Sequence, residues 1–282
     1  MPGRAQHLAA SLGLCMILTA AGCEGPSILE RIQSNVETLD ITPDDLEERL
    51  APFERIALVV ENPRGSVRVA TSARYDPEIK IRWIWGSDMD GRARDTPPLQ
   101  YRFAVEPGPD GRGALRVTGF DRSGGRNEGR GDLFIELPRL DGLEVRNAGG
   151  PVVLDGVTGA VTVVNRSIEG EAARIEWKTG EPVVGPVALT TDRGRVSVAM
   201  PAGGALDLDL ATEAGKASFA TRQGRVRDVR AGDGMWRGSW NDGIGPMLVR
   251  SGGGDVTVLV MERPLTHAFA DRFTPVRGES RR

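Results

Sequence analysis

LEVRNAGGPVVL (Leu143–Leu154), VTVVNRSIEGE (Val161–Glu171), VALTTDRGRVSVAMP (Val187–Pro201), LDLDLATEAGKASFA (Leu206–Ala220) and MLVRSGGGDVTVLVM (Met247–Met261) are versions of one text. Each begins with apolar residues at every second position, the signature of a strand with one buried face. A polar residue or two follows, then glycine, then a second alternating run. Gly150, Gly170, Gly194, Gly215, Gly234 and Gly254 mark the turns at a spacing near twenty residues, with the largest slip between Gly170 and Gly194. A unit this short cannot bury its own apolar face, so it must stack on copies of itself. The expectation is an all-β fold: a right-handed β-solenoid, or β-helix-like stack of short strands with glycine-containing turns. A β-sandwich also has short strands and frequent turns. The likeness among the units favours the stack.

Working outward, the repeat half spans 143–261 and an irregular first half spans 53–140, together one β domain over 53–262. RIALVVENPRGSVRVATS (Arg55–Ser72) has the form of the later units. EIKIRWIWG (Glu78–Gly86) places Ile79, Ile81, Trp83 and Trp85 on one face, with Lys80 and Arg82 on the other. LQYRFAVEP (Leu99–Pro107) and ALRVTGF (Ala114–Phe120) read as strands joined through Gly108-Pro109-Asp110-Gly111, a turn signal. Residues 263–282 lose the alternation and read as a disordered tail.

Residues 23–52 read as a tether with short helices. Ile28, Leu29, Ile32, Val36 and Leu39 keep a helical stripe behind a Ser27/Glu30 capping box. Thr42-Pro43-Asp44-Asp45 signals a second helix, with Thr42 as N-cap and Pro43 at its first position. Such a segment either holds the β domain off a membrane or caps its first strands.

The chain opens on a leader. Arg4 is followed by the apolar run Leu8–Leu18, too short for a spanning helix, and then by Thr19-Ala20-Ala21-Gly22-Cys23. That end resembles a bacterial lipobox and implies cleavage after residue 22 and lipidation of Cys23; the alternative is an ordinary signal peptide cleaved after Ala21 or Gly22, with Cys23 incidental. Cys15 would leave with the leader, and a lone cysteine in an exported chain cannot form an internal disulfide. A diacylglyceryl thioether on Cys23 accounts for it, and two acyl chains suffice for a stable anchor. The expected address is extracytoplasmic, lipid-anchored to a bacterial membrane.

The unit x-V-x-[NST]-x-x-G-x-V-x-V, seen in VRNAGGPVVL, LTTDRGRVSV and VRSGGGDVTV and heralded by ENPRGSVRV, resembles bacterial "putative adhesin" domains of unknown function, related to the head domain of auto-transporter adhesins. The resemblance covers Phe53 to Met261. It implies an extracytoplasmic, often surface-anchored β-solenoid and carries over no catalytic residues. The chain departs from it over Trp83–Asp132, where strands and loops lengthen.

Composition narrows the chemistry. The formal net charge of the 282 residues is −3, with no concentrated basic face for nucleic acid. Apart from His7 in the leader, His267 is the sole histidine, so there is little material for a Ser-His-Asp triad and none for a multi-histidine zinc site. No Walker loop or GxGxxG opens a helix, and no cofactor is implied. Asp155, Glu169, Glu171, Glu176, Asp207 and Asp209 could line one face, as in a polysaccharide lyase or hydrolase built on a β-helix, or be solvated outward positions. Ser251–Asp255 and Gly86–Gly91 read as structural turns rather than calcium loops. In GMWRGSWNDG (Gly234–Gly243), Trp236 and Trp240, with Arg237, Asn241 and Asp242, read either as a sugar-binding face or as indoles capping the stack. The first hypothesis is therefore a non-enzymatic, adhesin-like binding or scaffold module of the cell envelope, with polysaccharide or envelope protein as partner.

Overall fold

The computed structural model describes residues 36–73, 76–85, 99–108, 111–121, 129–168 and 171–267, with backbone alone at 36, 37 and 85. The expected leader, Cys23, the Ser27/Glu30 box, Gly86–Gly91 and residues 268–282 lie outside them. In chain order the elements begin with β1 (Val36–Asp40), a helical turn α1 (Leu46–Leu50), β2 (Ile56–Asn62), β3 (Val67–Thr71) and β4 (Glu78–Trp85). Then follow β5 (Leu99–Pro107), β6 (Gly113–Asp121), β7 (Gly129–Leu137), β8 (Asp141–Ala148), β9 (Val152–Asp155) and β10 (Thr158–Arg166). The repeat half continues through β11 (Ile175–Lys178), β12 (Val187–Thr191), β13 (Val196–Met200), β14 (Leu206–Thr212) and β15 (Ala217–Thr221). It closes with β16 (Val226–Gly232), β17 (Met235–Trp240), β18 (Gly245–Ser251) and β19 (Val256–Val260).

The strands form two large sheets. One runs β1-β4-β7-β3-β9-β11-β13-β19-β15, the other β16-β17-β14-β18-β12-β10-β8-β2-β6-β5. Alternation does the folding: β2 buries Ile56, Leu58, Val60 and Asn62 and leaves the residues between them half-exposed. Inward residues of both sheets share one apolar core. Each repeat unit gives its first strand to the second sheet and its next to the first, pairing in parallel and in register, as in Val161↔Val187 and Ile175↔Val196. The irregular first half joins the same stack, since β2 pairs with β8 and β3 with β9, both parallel.

A solenoid that stacks each turn on the one before it in sequence is not what these strands make. β6 and β7 lie outside β2 and β3, on the side away from β8 and β9. At the far end, β18 and β19 sit between the β12/β13 pair and the β14/β15 pair, although they come last in the chain. Antiparallel strands cause both departures. β4 and β5 lie between the two early units and pair with β7 and β6. The β16–β17 hairpin lies between the two late ones and pairs with β14. The result is a pair of mixed sheets packed like a sandwich.

The expected helical tether is also corrected. Val36–Asp40 is a strand paired antiparallel with β4, so tertiary pairing overrides the helical stripe. Thr42 caps no helix. Its hydroxyl accepts from Ile79 N–H at 2.7 Å and donates to Asp40 Oδ1 at 2.6 Å, pinning β1 to β4. The helix starts later, after Asp45, and buries Leu46 and Leu50 in the core. Residues 36–52 thus belong to the β domain and close one end of it. Pro264 is likewise buried, in a short 3-10 turn (Pro264–Thr266) that contacts β13.

Candidate binding surface

The polar position of the repeat points into the molecule. Asn62, Asn147, Asn165, Thr191, Ser251 and Thr212 occupy equivalent inward positions at the ends of β2, β8, β10, β12, β18 and β14, and register aligns them. All are buried. Asn62 Nδ2 donates to Asn147 Oδ1, and Asn147 Nδ2 to Asn165 Oδ1, each at 2.9 Å. Asn165 Nδ2 ends the run on the carbonyls of Gly150 and Arg174. Tyr101 begins it by donating its hydroxyl to Asn62 Oδ1 at 2.7 Å. The hydroxyls continue the row by donating to turn carbonyls: Thr191 to Ala173, Ser251 to Gly194, Thr212 to Gly254. Buried polar groups are tolerable only when satisfied in this way.

Three residues further on, glycines stack. A Cβ at Gly215 would lie 2.5 Å from the carbonyl oxygen of Gly254, and one at Gly254 2.5 Å from that of Gly194. The repeat needs glycine there because one turn's backbone fills the space a side chain would take.

Asp132 lies beside the Tyr101–Asn62 end of the row. It is fully buried, accepts from Ser66 N and Oγ at 2.8 and 2.7 Å, and pairs with Arg82 at 2.7 Å and Arg130 at 2.8 Å. Burial pushes its carboxyl pKa up, but the bonds from Arg82, Arg130 and Ser66 outweigh that and hold it below the usual carboxylate value. Burial, and then the Asp132 charge, raise the pKa of the Tyr101 phenol.

Trp236 and Trp240 are not a sugar-stacking face. Their exposures are 1% and 0%. Both pack on Phe219, with ring centroids 5.0 and 6.1 Å apart, and Trp240 donates its indole N–H to the Gln223 carbonyl. The hairpin folds them over the last strand of the first sheet, as indoles capping the stack. Their polar neighbours hold the surface together: Arg237 pairs with Asp209 at 2.9 Å and Asp242 with Arg227 at 2.9 Å. Asn241, at φ 50°, accepts from Arg225 N and donates to the Gly204 carbonyl.

The acidic residues do not converge. Asp155 and Glu176 lie on the outer face of the first sheet, paired with Arg68 and Arg195. Asp207 and Asp209 lie on the outer face of the second, held by Ser239, Arg237 and Arg250. Glu171 faces Arg130, and Glu169 lies outside the described residues. Burial raises the Asp209 pKa, but Arg250 and Arg237 more than reverse it and hold it low. Asp255 in the Ser251–Asp255 turn accepts from Lys216 N. Among the described residues no three His, Cys, Asp or Glu side chains are grouped to hold a metal, and no helix is long and apolar enough to cross a membrane.

One depression of about 590 Å³ opens on the second sheet, at the turn end of β10, β12, β18 and β14. Val164, Thr190, Arg250 and Ala211, in register on the four strands, form its floor, with Arg166, Asp192 and Glu213 among its walls. The sequence singled out none of these positions.

No protein-family model and no curated protein matches the chain. Three solved structures align with 80% of it. They are a putative cell adhesion protein from Clostridium sporogenes ATCC 15579 (12% identity, TM-score 0.43, 99% of that chain), a putative adhesin from Bacteroides fragilis NCTC 9343 (14%, 0.30, 97%) and a putative lipid binding protein from Parabacteroides distasonis ATCC 8503 (9%, 0.26, 97%). At these TM-scores the likeness is too loose to transfer a role.

Proposed function

We propose that the chain is a non-enzymatic binding or scaffold module of the bacterial cell envelope, adhesin-like in use, held to a membrane through lipidated Cys23. The alternating strands read as a solenoid-like coil with two turns out of sequence, which gives a stiff body with two broad polar faces. The observation that carries the reading is the division of the carboxylates. Glycoside chemistry with two carboxylates needs an acid pair flanking one bond, a few ångströms apart. Here Asp155 and Glu176 stand on the outer face of one sheet and Asp207 and Asp209 on that of the other, and each of these four is already bonded to its own arginine or hydroxyl, so the acids that share a face are tied to separate partners. Such a surface is suited to holding a partner, with polysaccharide first and envelope protein second.

Retention of the purified full chain on a panel of bacterial envelope polysaccharides tests the function. Binding to at least one is expected; no retention on any would leave the scaffold reading, with a protein partner. Anchoring has its own test, because Cys23→Ala should move the protein from the membrane to the soluble fraction. Membrane association that persists in that variant would refute the lipid anchor.

A further inference from the structure

We propose that the depression on the second sheet is a saccharide site that takes two or three sugar units of a neutral glycan, a proposal that rests on the binding-module reading. The stack order creates it. The residues that follow the buried polar row are Arg166, Asp192, Gly252 and Glu213, on the neighbouring strands β10, β12, β18 and β14. At Gly252 the row carries no side chain: the carbonyl of Asp192 occupies the place of its Cβ, so no side chain can be built between Asp192 and Glu213.

Beneath the floor the backbone is fixed by the Asn165, Thr191, Ser251 and Thr212 bonds. Asp192 and Arg250 are engaged, the first with Ser167 N and Oγ, the second with Asp209. Arg166, Glu213 and the Thr190 hydroxyl make no side-chain hydrogen bond or ion pair among the described residues. They span three strand spacings, about 14 Å, the length of a short oligosaccharide.

The chemistry selects the ligand class. All four strands below are interior to the sheet, so no free edge can pair with a peptide backbone. The floor of Val164, Thr190, Arg250 and Ala211 carries a charge and a hydroxyl, which suits neither an apolar side chain nor an acyl group. A guanidinium and a carboxylate without a side-chain partner among the described residues, with the Thr190 hydroxyl and the Arg250 guanidinium between them, match vicinal hydroxyls, which both donate and accept. The opposite charges at the two ends favour an uncharged chain over a polyanion. An open site without an aromatic platform binds weakly, in the millimolar range for one copy.

The test is titration of the purified full chain with chitotriose, maltotriose and trigalacturonic acid. At least one neutral trisaccharide should bind, more tightly than trigalacturonic acid. Thr190→Leu, which fills the floor and removes its hydroxyl, and Arg166→Ala should each weaken it at least about tenfold with unchanged Tm. Thr162→Leu, exposed on the same sheet but outside the depression, should leave binding intact. If no trisaccharide binds, or if Thr190→Leu binds as well as the parent, the site is not here. Should polysaccharide be retained equally by parent and Thr190→Leu, this site falls while the polysaccharide-binding reading stands. Should neither polysaccharide nor trisaccharide bind, this site and the polysaccharide-binding reading both fall, and the scaffold reading with a protein partner is left.

Discussion

Asn62 and Asn147 stand 85 residues apart in the chain, and the amide of one donates to the carbonyl of the other at 2.9 Å inside the core. Parallel in-register pairing places them at the same height on adjacent strands. Asn147 then passes the pattern on to Asn165, so it is the middle member of an amide ladder. Replacing it with alanine breaks both bonds: the Asn165 side-chain carbonyl loses its donor in a dry setting, and the Asn62 amide keeps only its longer bonds to the Gly131 and Ser66 carbonyls. Asn147→Ala should cost about 2–4 kcal/mol in urea unfolding, more than a typical single hydrogen bond. A loss under about 1 kcal/mol would mean that water or a relaxed turn replaces the ladder.

The stacked glycines make a second prediction. Gly194 has φ +125°, and a Cβ there would lie 2.9 Å from the backbone of Ala173 and Arg174. Gly111, at φ +72°, has nothing within 4 Å of that position. Gly111→Ala should therefore cost only the backbone strain, about 1–2 kcal/mol. Gly194→Ala should cost clearly more, since a neighbouring turn must also move. Equal losses in the two variants would deny the close packing of the turns.

Trp236 and Trp240 supply a third. As indoles capping the core, either one changed to alanine should lose about 3–5 kcal/mol of stability. Thermal unfolding reads this directly. A variant with unchanged Tm and lost polysaccharide retention would restore the sugar-face reading.

Acid sensitivity follows from Asp132. Its folded pKa is depressed, so its contribution is fully present above the ordinary carboxylate pKa near 4 and is lost as pH falls through the lower folded value. Asp209 and Asp40 shift the same way and add to the slope. Asp132→Asn should be less stable than the parent at neutral pH by about 1.5–3 kcal/mol, the worth of a bond to a charged group. That gap should narrow as pH drops from 4 towards 2. A gap independent of pH would show that the Asp132 charge does not stabilise the fold.

Much of the architecture was written locally. Alternation marked the strands, and [NST]-x-x-G marked where each turn begins, because the polar side chain must reach a neighbouring amide or carbonyl and the glycine must clear a neighbouring carbonyl. The face of Ile79, Ile81 and Trp83 is buried as their spacing predicts, and β5 and β6 pair across the Gly108–Gly111 turn. The stacking order was not legible. Units that end in the same polar residue and glycine accept one another as neighbours in any order, so nothing in Met247–Met261 says that it enters between Val187–Pro201 and Leu206–Ala220. The strand Val36–Asp40 was missed because only its partner β4 makes it one. The depression was invisible for the same reason as the order, since Val164, Thr190, Arg250 and Ala211 share a floor only once their strands are neighbours. The text around Trp236 and Trp240 reads alike for an exposed platform and a cap, and Phe219 decides it.

The most direct test of the account is to follow the length distribution of a retained envelope polysaccharide during prolonged incubation with the purified chain. The account predicts a stable complex and an unchanged polymer. Progressive shortening, or the appearance of new reducing or unsaturated ends, would contradict it and make the protein a polysaccharide-cleaving enzyme.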